Sequence, residues 1–577
     1  MVIWGQGLPS ARVGVGGRRG PRRARTVILT GSVDVMTTGR LIRALALVAV
    51  VVLALGLGAP GAGAQQRRDT VVIGMAQEPD CLIMAFCQMA AGAAVANNSV
   101  FTSMVIYNDK WQLVPATVEK IPTLKDGDWQ LLPGGKMKVT YRFRRNFTWH
   151  DGKPYTALDA SWTYLMLRNP RSPTLSRSVL RKIDNMLVPN PNDPYTLVVQ
   201  WNERYPFANT GHVVYPKHVM EREYLRDPAG LKAHRQARFP IGNGPYRFVE
   251  WVPGSHITLE AYDRYPGLGG VGGPAKIKRQ VWRFILDSTV LQANVIANQV
   301  DVTEINNFSI DQMLEIERRN PQHAAHYTPA LIWEHIDLNL DNEWLRDKRV
   351  RQALAHGINR EEFSQKLFYG KQPVAHTWLP ERHEAFNPQV KKYPYDPARA
   401  RQLLAEAGFV PGPDGILRDA RGRRVELTIM TTAGNAVREQ IQQIMKEQLR
   451  QIGIDLRIDN RPASVLFGQV TRQRQFPHMV MYAWLMTPES LPHFFWHSNQ
   501  VPTPQNNWEG SNYPGWRHAE NDRLCDAAAQ EIDAAKRIEL IKRQQEIWAE
   551  ELPAIPLYFR LSLTTAHKRL APVKPAG

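Results

Sequence analysis

Cysteine is scarce in this 577-residue sequence: Cys81, Cys87 and Cys525 are all there is. No C-x-x-C pair exists, which argues against a thioredoxin-like redox site and against a zinc ribbon. In an oxidising compartment Cys81 and Cys87 could close a small loop and leave Cys525 alone; three unpaired thiols is the alternative reading. Catalytic signatures are missing as well. There is no G-x-S-x-G elbow, no P-loop and no H-E-x-x-H zinc helix. Gly267-x-Gly269-x-x-Gly272 has dinucleotide-loop spacing, but it follows Arg264-Tyr265-Pro266 rather than a strand, and Pro274 stands where a helix should begin. It reads as a loop. His150-Asp151 reads as a hydrogen-bonded turn, and His383-Glu384 lacks a second histidine four residues on. A paired-carboxylate hydrolase needs no local motif, so an exported hydrolase stays as a secondary reading. Acidic residues are outnumbered, 54 against 72 basic ones, for a net charge of +18. The basic residues are spread evenly, without a stripe or recognition motif, so nucleic acid is not the expected partner.

Long hydrophobic runs are few. The densest is Ala44 to Leu57, too short for a membrane span. It follows Arg40 and Arg43 and precedes Ala62-Gly63-Ala64, the order of a secretory signal with its small-residue cleavage site. The expectation is a signal peptide over 36–64 cleaved after Ala64, with 1–35 an upstream extension. No cysteine occupies a lipoprotein position, so the exported chain is expected free in the periplasm.

The remaining length exceeds what one core supports, so two or more folded units are expected. Thr70-Val71-Val72-Ile73-Gly74 reads as a buried strand. Val139, Tyr141 and Phe143 alternate with polar residues, the period of a half-buried strand. Thr156-x-x-Asp159 has the form of a capping box, opening a helix that runs to about Arg168. Strands are expected at 246–251 and 256–262 around Val252-Pro253-Gly254-Ser255, and two short helices between Arg349 and Gly370. Asp396 caps another helix with Pro397 at its first position. In 425–458 a strand, a helix with one apolar face (Ile441, Met445, Leu449) and a second strand imply a parallel crossover. Part of the protein is therefore an α/β sheet, whose ligands bind beyond strand ends.

Phe147-x-x-His150-Asp151-Gly152-Lys153-Pro154-x-Thr156-Ala157-x-Asp159 resembles the family 5 extracellular solute-binding proteins, the dipeptide-, oligopeptide- and nickel-binding receptors of ABC importers. Further matches follow in the family's order. They are Gly242-Asn243-Gly244-Pro245-Tyr246, Val350-Arg351-Gln352-Ala353-Leu354, Ile358-Asn359-Arg360-Glu361, Tyr395-Asp396-Pro397 and Leu552-Pro553-x-Ile555-Pro556-Leu557-Tyr558. Most of these residues have structural readings as turns and caps.

The resemblance implies an α/β, two-lobed periplasmic-binding-protein fold with an extra inserted subdomain (class C-like) and a hinge between lobes. Lobe I would combine 65–110, 240–330 and 550–577, with the insertion at 111–239, and lobe II would span 331–549. Trp333 to Leu340 and Ala554 to Arg560 would be the crossing segments. It implies a monomeric, non-enzymatic binding protein that needs no cofactor or metal and carries a small peptide or peptide-like solute to ABC permease subunits. Oligosaccharides, opines and metal chelates are the other cargoes of this scaffold. The candidate ligand-binding residues are Gln88, Trp333, Arg472, Tyr482, Trp484, Thr487 and Glu489. In the peptide-binding branch an aspartate stands three residues after the tryptophan equivalent to Trp484 and pairs with the ligand's α-amino group. Here that position is Thr487, with Glu489 two residues on as a candidate substitute. Arg472 stands where that branch often places an arginine able to meet a ligand carboxylate, and Trp484 offers a flat face for packing.

Overall fold

The computed structural model describes residues 69–570, apart from 88, 211, 269–270 and 305–306. The expected signal segment and Gln88 lie outside the described residues.

Ten strands form one mixed sheet in the order 455–458, 426–430, 479–485, 323–338, 554–567, 302–303, 70–75, 279–284, 256–261 and 246–252. Its middle is two unusually long strands, His323–Leu338 and Ala554–His567. They pair antiparallel from His323 opposite His567 to Asp337 opposite Ala554, and the register shifts between Pro329 and Trp333 and again between Glu334 and His335. On one side of the first shift their neighbour is Val302–Thr303, and on the other it is Met479–Leu485. The resemblance implied only part of these strands, and periodicity does not mark them, because both faces of most of their length are buried and the alternation that exposes a strand is lost.

The local predictions hold where they rest on side-chain chemistry. Thr156 and Asp159 form the capping box of helix Ala157–Arg168. Asp396 accepts a hydrogen bond from the Arg399 amide at the start of helix Pro397–Glu406. Glu426–Met430, helix Ala436–Gln451 and Asp455–Ile458 form the parallel crossover, with Ile441, Met445 and Leu449 buried. Gly267–Leu268 pairs antiparallel with Val271–Gly272, a small hairpin rather than a dinucleotide loop. A separate antiparallel sheet, in the order 129–131, 137–142, 196–201 and 183–187, lies within the expected insertion. Cys81 and Cys87 are joined in a disulfide, and Cys525 is buried and free. No helix among the described residues is long and apolar enough to cross a membrane.

The motif residues are structural. His150 Nδ1 accepts from the Gly242 amide at 3.1 Å, and its Nε2 meets the Gly244 carbonyl at 3.0 Å. One ring thereby ties two loops together. Burial holds its pKa down to about 4, so it is neutral. A Cβ on Gly242 would collide with the Val100 carbonyl oxygen, so only glycine allows that approach. Arg360 is buried and spends its guanidinium on the carbonyls of Ala375, Pro556 and Tyr393. Arg351 does the same with Glu551, Leu345 and Arg346.

Candidate functional site

Beyond the register shift, the two long strands carry side chains of a different kind. Pleating puts Trp333, His335 and Asp337 on one face and Glu334 on the other. Trp333 is fully buried and stacks on His335 at 4.0 Å, edge-on to Trp496 and Trp548. Contrary to the expectation for it, Trp333 has no surface to offer a ligand and is a core ring. Tyr482, opposite His335 on the neighbouring strand, is also buried. Its hydroxyl donates to Asp337 Oδ2 at 2.5 Å, and burial, followed by the Asp337 charge, pushes the phenol well above its ordinary range.

Trp484 is different. It stands opposite Trp333 in the register near the end of its strand and is only partly buried. Its ring lies parallel to Tyr513, with centroids 6.0 Å apart, and Phe495 meets it edge-on at 5.2 Å. Together these rings make an aromatic shelf at the carboxyl end of strand Met479–Leu485, where α/β sheets place their ligands. Thr487 follows on the exposed loop, its amide bonded to Ser490 Oγ at 2.8 Å. Arg472 lies farther along this wall, with Nε 3.4 Å from the Trp508 carbonyl.

Glu489 is engaged from across the molecule. The Tyr107 hydroxyl, on the hairpin Val105–Tyr107/Leu113–Pro115, donates to Glu489 Oε1 at 2.7 Å. Burial, then the Glu489 charge, raises the Tyr107 phenol far above its ordinary value. The same hairpin extends Trp111 to the tryptophan-rich core around Trp333, and Arg382 lies 5.5 Å over that ring while donating to the Asp109 and Pro329 carbonyls. These contacts join the first part of the chain to the loop after Trp484.

A charge cluster that sequence reasoning missed lies on the opposite face. Glu334 is fully buried; its Oε1 accepts from Arg438 Nε at 2.6 Å and its Oε2 from Arg560 Nε at 2.9 Å. Burial alone would raise this carboxyl, but Arg560 and Arg438 outweigh it and hold it below the usual range. Two guanidiniums share one carboxylate, and among the described residues neither has a second acidic partner within ion-pair distance. The cluster carries a net positive charge, and Arg560 keeps 35% of its side chain exposed. Arg438 opens the helix that follows strand Glu426–Met430, so this cation also sits near a strand end. The only advance signal was the charged run Glu334-His335-x-Asp337 inside an otherwise apolar strand.

Two sets of strands sharing a pair of long crossing strands, with an aromatic shelf and a fixed positive charge near the strand ends, define a two-lobed solute-binding protein. The sequence profile of the bacterial extracellular solute-binding proteins, family 5, matches residues 122–503, and the chain belongs to that family. It is similar to the oligopeptide-binding protein AppA of Bacillus subtilis, 28% identical over 86% of this chain and 87% of that one. The dipeptide-binding protein of Escherichia coli is 23% identical over 79% of this chain and 83% of its own length. Among solved structures, the oligopeptide-binding protein of Thermus thermophilus in complex with a pentapeptide is 32% identical. That match covers 87% of this chain and 92% of the other, with a TM-score of 0.66. NikZ of Campylobacter jejuni, in complex with Ni(L-His), shares the fold at 22% identity and a TM-score of 0.66, over 87% of this chain and 94% of its own. The family is one of binding proteins rather than enzymes.

Proposed function

We propose that the chain is the exported, monomeric substrate-binding receptor of an ABC importer, holding a peptide or peptide-like solute between its lobes and delivering it to the permease. The observation that carries the reading is the aromatic shelf of Trp484, Tyr513 and Phe495 at a strand end. The peptide-binding relatives support the class of cargo. The lobe boundaries are taken as 65–110, 240–330 and 550–577 with the insertion 111–239, against 331–549. The register shift between Pro329 and Trp333 supports a flexing point there. A ligand touching both lobes favours the closed form because only that form offers both sets of contacts.

Of the candidate residues, Trp484, Thr487, Glu489 and Arg472 form the proposed contact wall; Tyr482 backs it from the core. Thr487 supplies no charge for a ligand amine, and the Glu489 carboxylate is already bonded to Tyr107. The solute is therefore one that does not depend on a free α-amino group. Titration calorimetry with a matched pair of peptides, one free and one amino-acetylated, tests this on the wild type and on Trp484→Ala, Thr487→Asp and Glu489→Gln. The acetylated peptide should bind the wild type at least as well as the free one, and Trp484→Ala should weaken both by more than about tenfold, the equivalent of about 1.4 kcal/mol. A wild-type preference for the free amine would overturn the reading; its loss in Glu489→Gln would assign the amine contact to Glu489.

A further inference from the structure

Not far beyond Trp484 in the chain stand two histidines that the binding reading leaves unused. His493 lies on the short helix Pro492–Trp496 and His497 directly follows it, four residues on, so both rings project to the same side. Their centroids are 4.6 Å apart. Asp526, on helix Ala519–Gln530, faces both: its Oδ1 is 3.3 Å from His497 Nε2 and 3.6 Å from His493 Nε2. One donor atom from each of the three residues falls within 4.8 Å of the others.

These separations are informative. Neither approach makes a well-formed hydrogen bond, and at 3.6 Å the His493 contact is too long to be one. Two imidazole nitrogens and a carboxylate oxygen, each about 2.0–2.1 Å from a tetrahedral divalent ion, stand about 3.3–3.4 Å from one another. The two histidine–carboxylate separations, 3.3 and 3.6 Å, are close to that spacing, and the three donor atoms all lie within 4.8 Å of one another. The scaffold beneath is fixed, since Asn521 Nδ2 donates to the Trp496 carbonyl at 2.7 Å and the Ser498 amide donates to Asp522 Oδ1 at 2.9 Å.

We propose that His493, His497 and Asp526 form a binding site for a first-row divalent transition ion, of the class that accepts two imidazoles and one carboxylate and keeps a further position for solvent. Ligation through His497 Nε2 places the ring proton on Nδ1, which now accepts from the Asn499 amide at 2.9 Å. Binding therefore releases that cap, and the exposed Asn499 amide turns to water. The same helix sets Phe495 against Trp484, so the ion would stiffen one wall of the aromatic shelf.

The test uses the full chain, stripped with a chelator and titrated with Zn²⁺ by calorimetry and with Co²⁺ by visible absorption. The expected result is one ion per chain and the intense visible bands of four-coordinate Co²⁺. His493→Ala and His497→Ala should each weaken binding by more than about tenfold, because losing even an outer partner of a metal ligand costs about 10–100-fold. Asp526→Asn, at an exposed position that leaves the fold intact, should weaken binding and alter the Co²⁺ spectrum. Unchanged affinity in the His493→Ala/His497→Ala double variant, or no saturable binding to the wild type, would overturn the proposal.

Discussion

His150 and Glu334 are both buried polar groups within the same fold, and they are satisfied in opposite ways. His150 is neutral and bonded to backbone atoms of the 242–244 loop, so its partners are fixed by chain geometry. Glu334 is charged and bonded to two side chains, Arg438 and Arg560, that arrive from distant parts of the chain. The first arrangement closes a loop and leaves no charge over. The second leaves one positive charge over, near the crossing strands. A scaffold needs the former; a site that selects ligands by charge needs the latter.

Removing each group should separate the two regimes. Glu334→Ala leaves two guanidiniums without their carboxylate, and breaking a buried pair in this way typically costs about 3–5 kcal/mol. Differential scanning calorimetry should show a loss of that order, with a fall in Tm of a few to several degrees for a chain this size. A loss below about 1 kcal/mol would mean that water already screens the cluster, and the contrast with His150 would collapse.

His150→Gln should cost less at neutral pH, about 1–2 kcal/mol for hydrogen bonds partly replaced. Its signature is the pH dependence. Burial lowers the His150 pKa from 6.5 to about 4, so between those values the unfolded chain binds a proton that the folded chain does not. Stability from this group is full above pH 6.5 and falls as pH drops towards 4. The wild-type advantage over His150→Gln in urea melts should shrink across that window. A constant gap would show that the ring is not held neutral by the fold.

The same contrast explains what the sequence revealed. Thr156–Asp159, Asp396–Pro397 and the 426–458 crossover were legible because caps and crossovers are local: their partners lie within a few residues or one helix. Gly242 and His150 were recognisable as a motif for a related reason, since a backbone approach tolerates few alternatives. Trp484 stood out through the family resemblance and its place in an aromatic segment. The Glu334 cluster was not legible, because its partners are 104 and 226 residues away and no spacing rule links them. Trp333 was misread as a ligand contact for a simpler reason. The resemblance placed it on a crossing segment but does not say which face its ring joins, and this ring packs in the core with Trp496 and Trp548. The Tyr107–Glu489 bond, 382 residues apart in sequence, was equally out of reach.

The central claim is that the space between the lobes holds a peptide-like solute and releases it unchanged. Purification under native conditions, followed by denaturation and mass spectrometry of the released small molecules, tests it directly. The expected result is intact peptide or peptide-like solute at no more than one molecule per chain. Adding the identified solute back at a hundredfold excess over its Kd should raise unfolding stability by about 2.7 kcal/mol, with no loss of solute over time. Steady consumption of the solute by pure protein, or release of only non-peptide molecules, would contradict it.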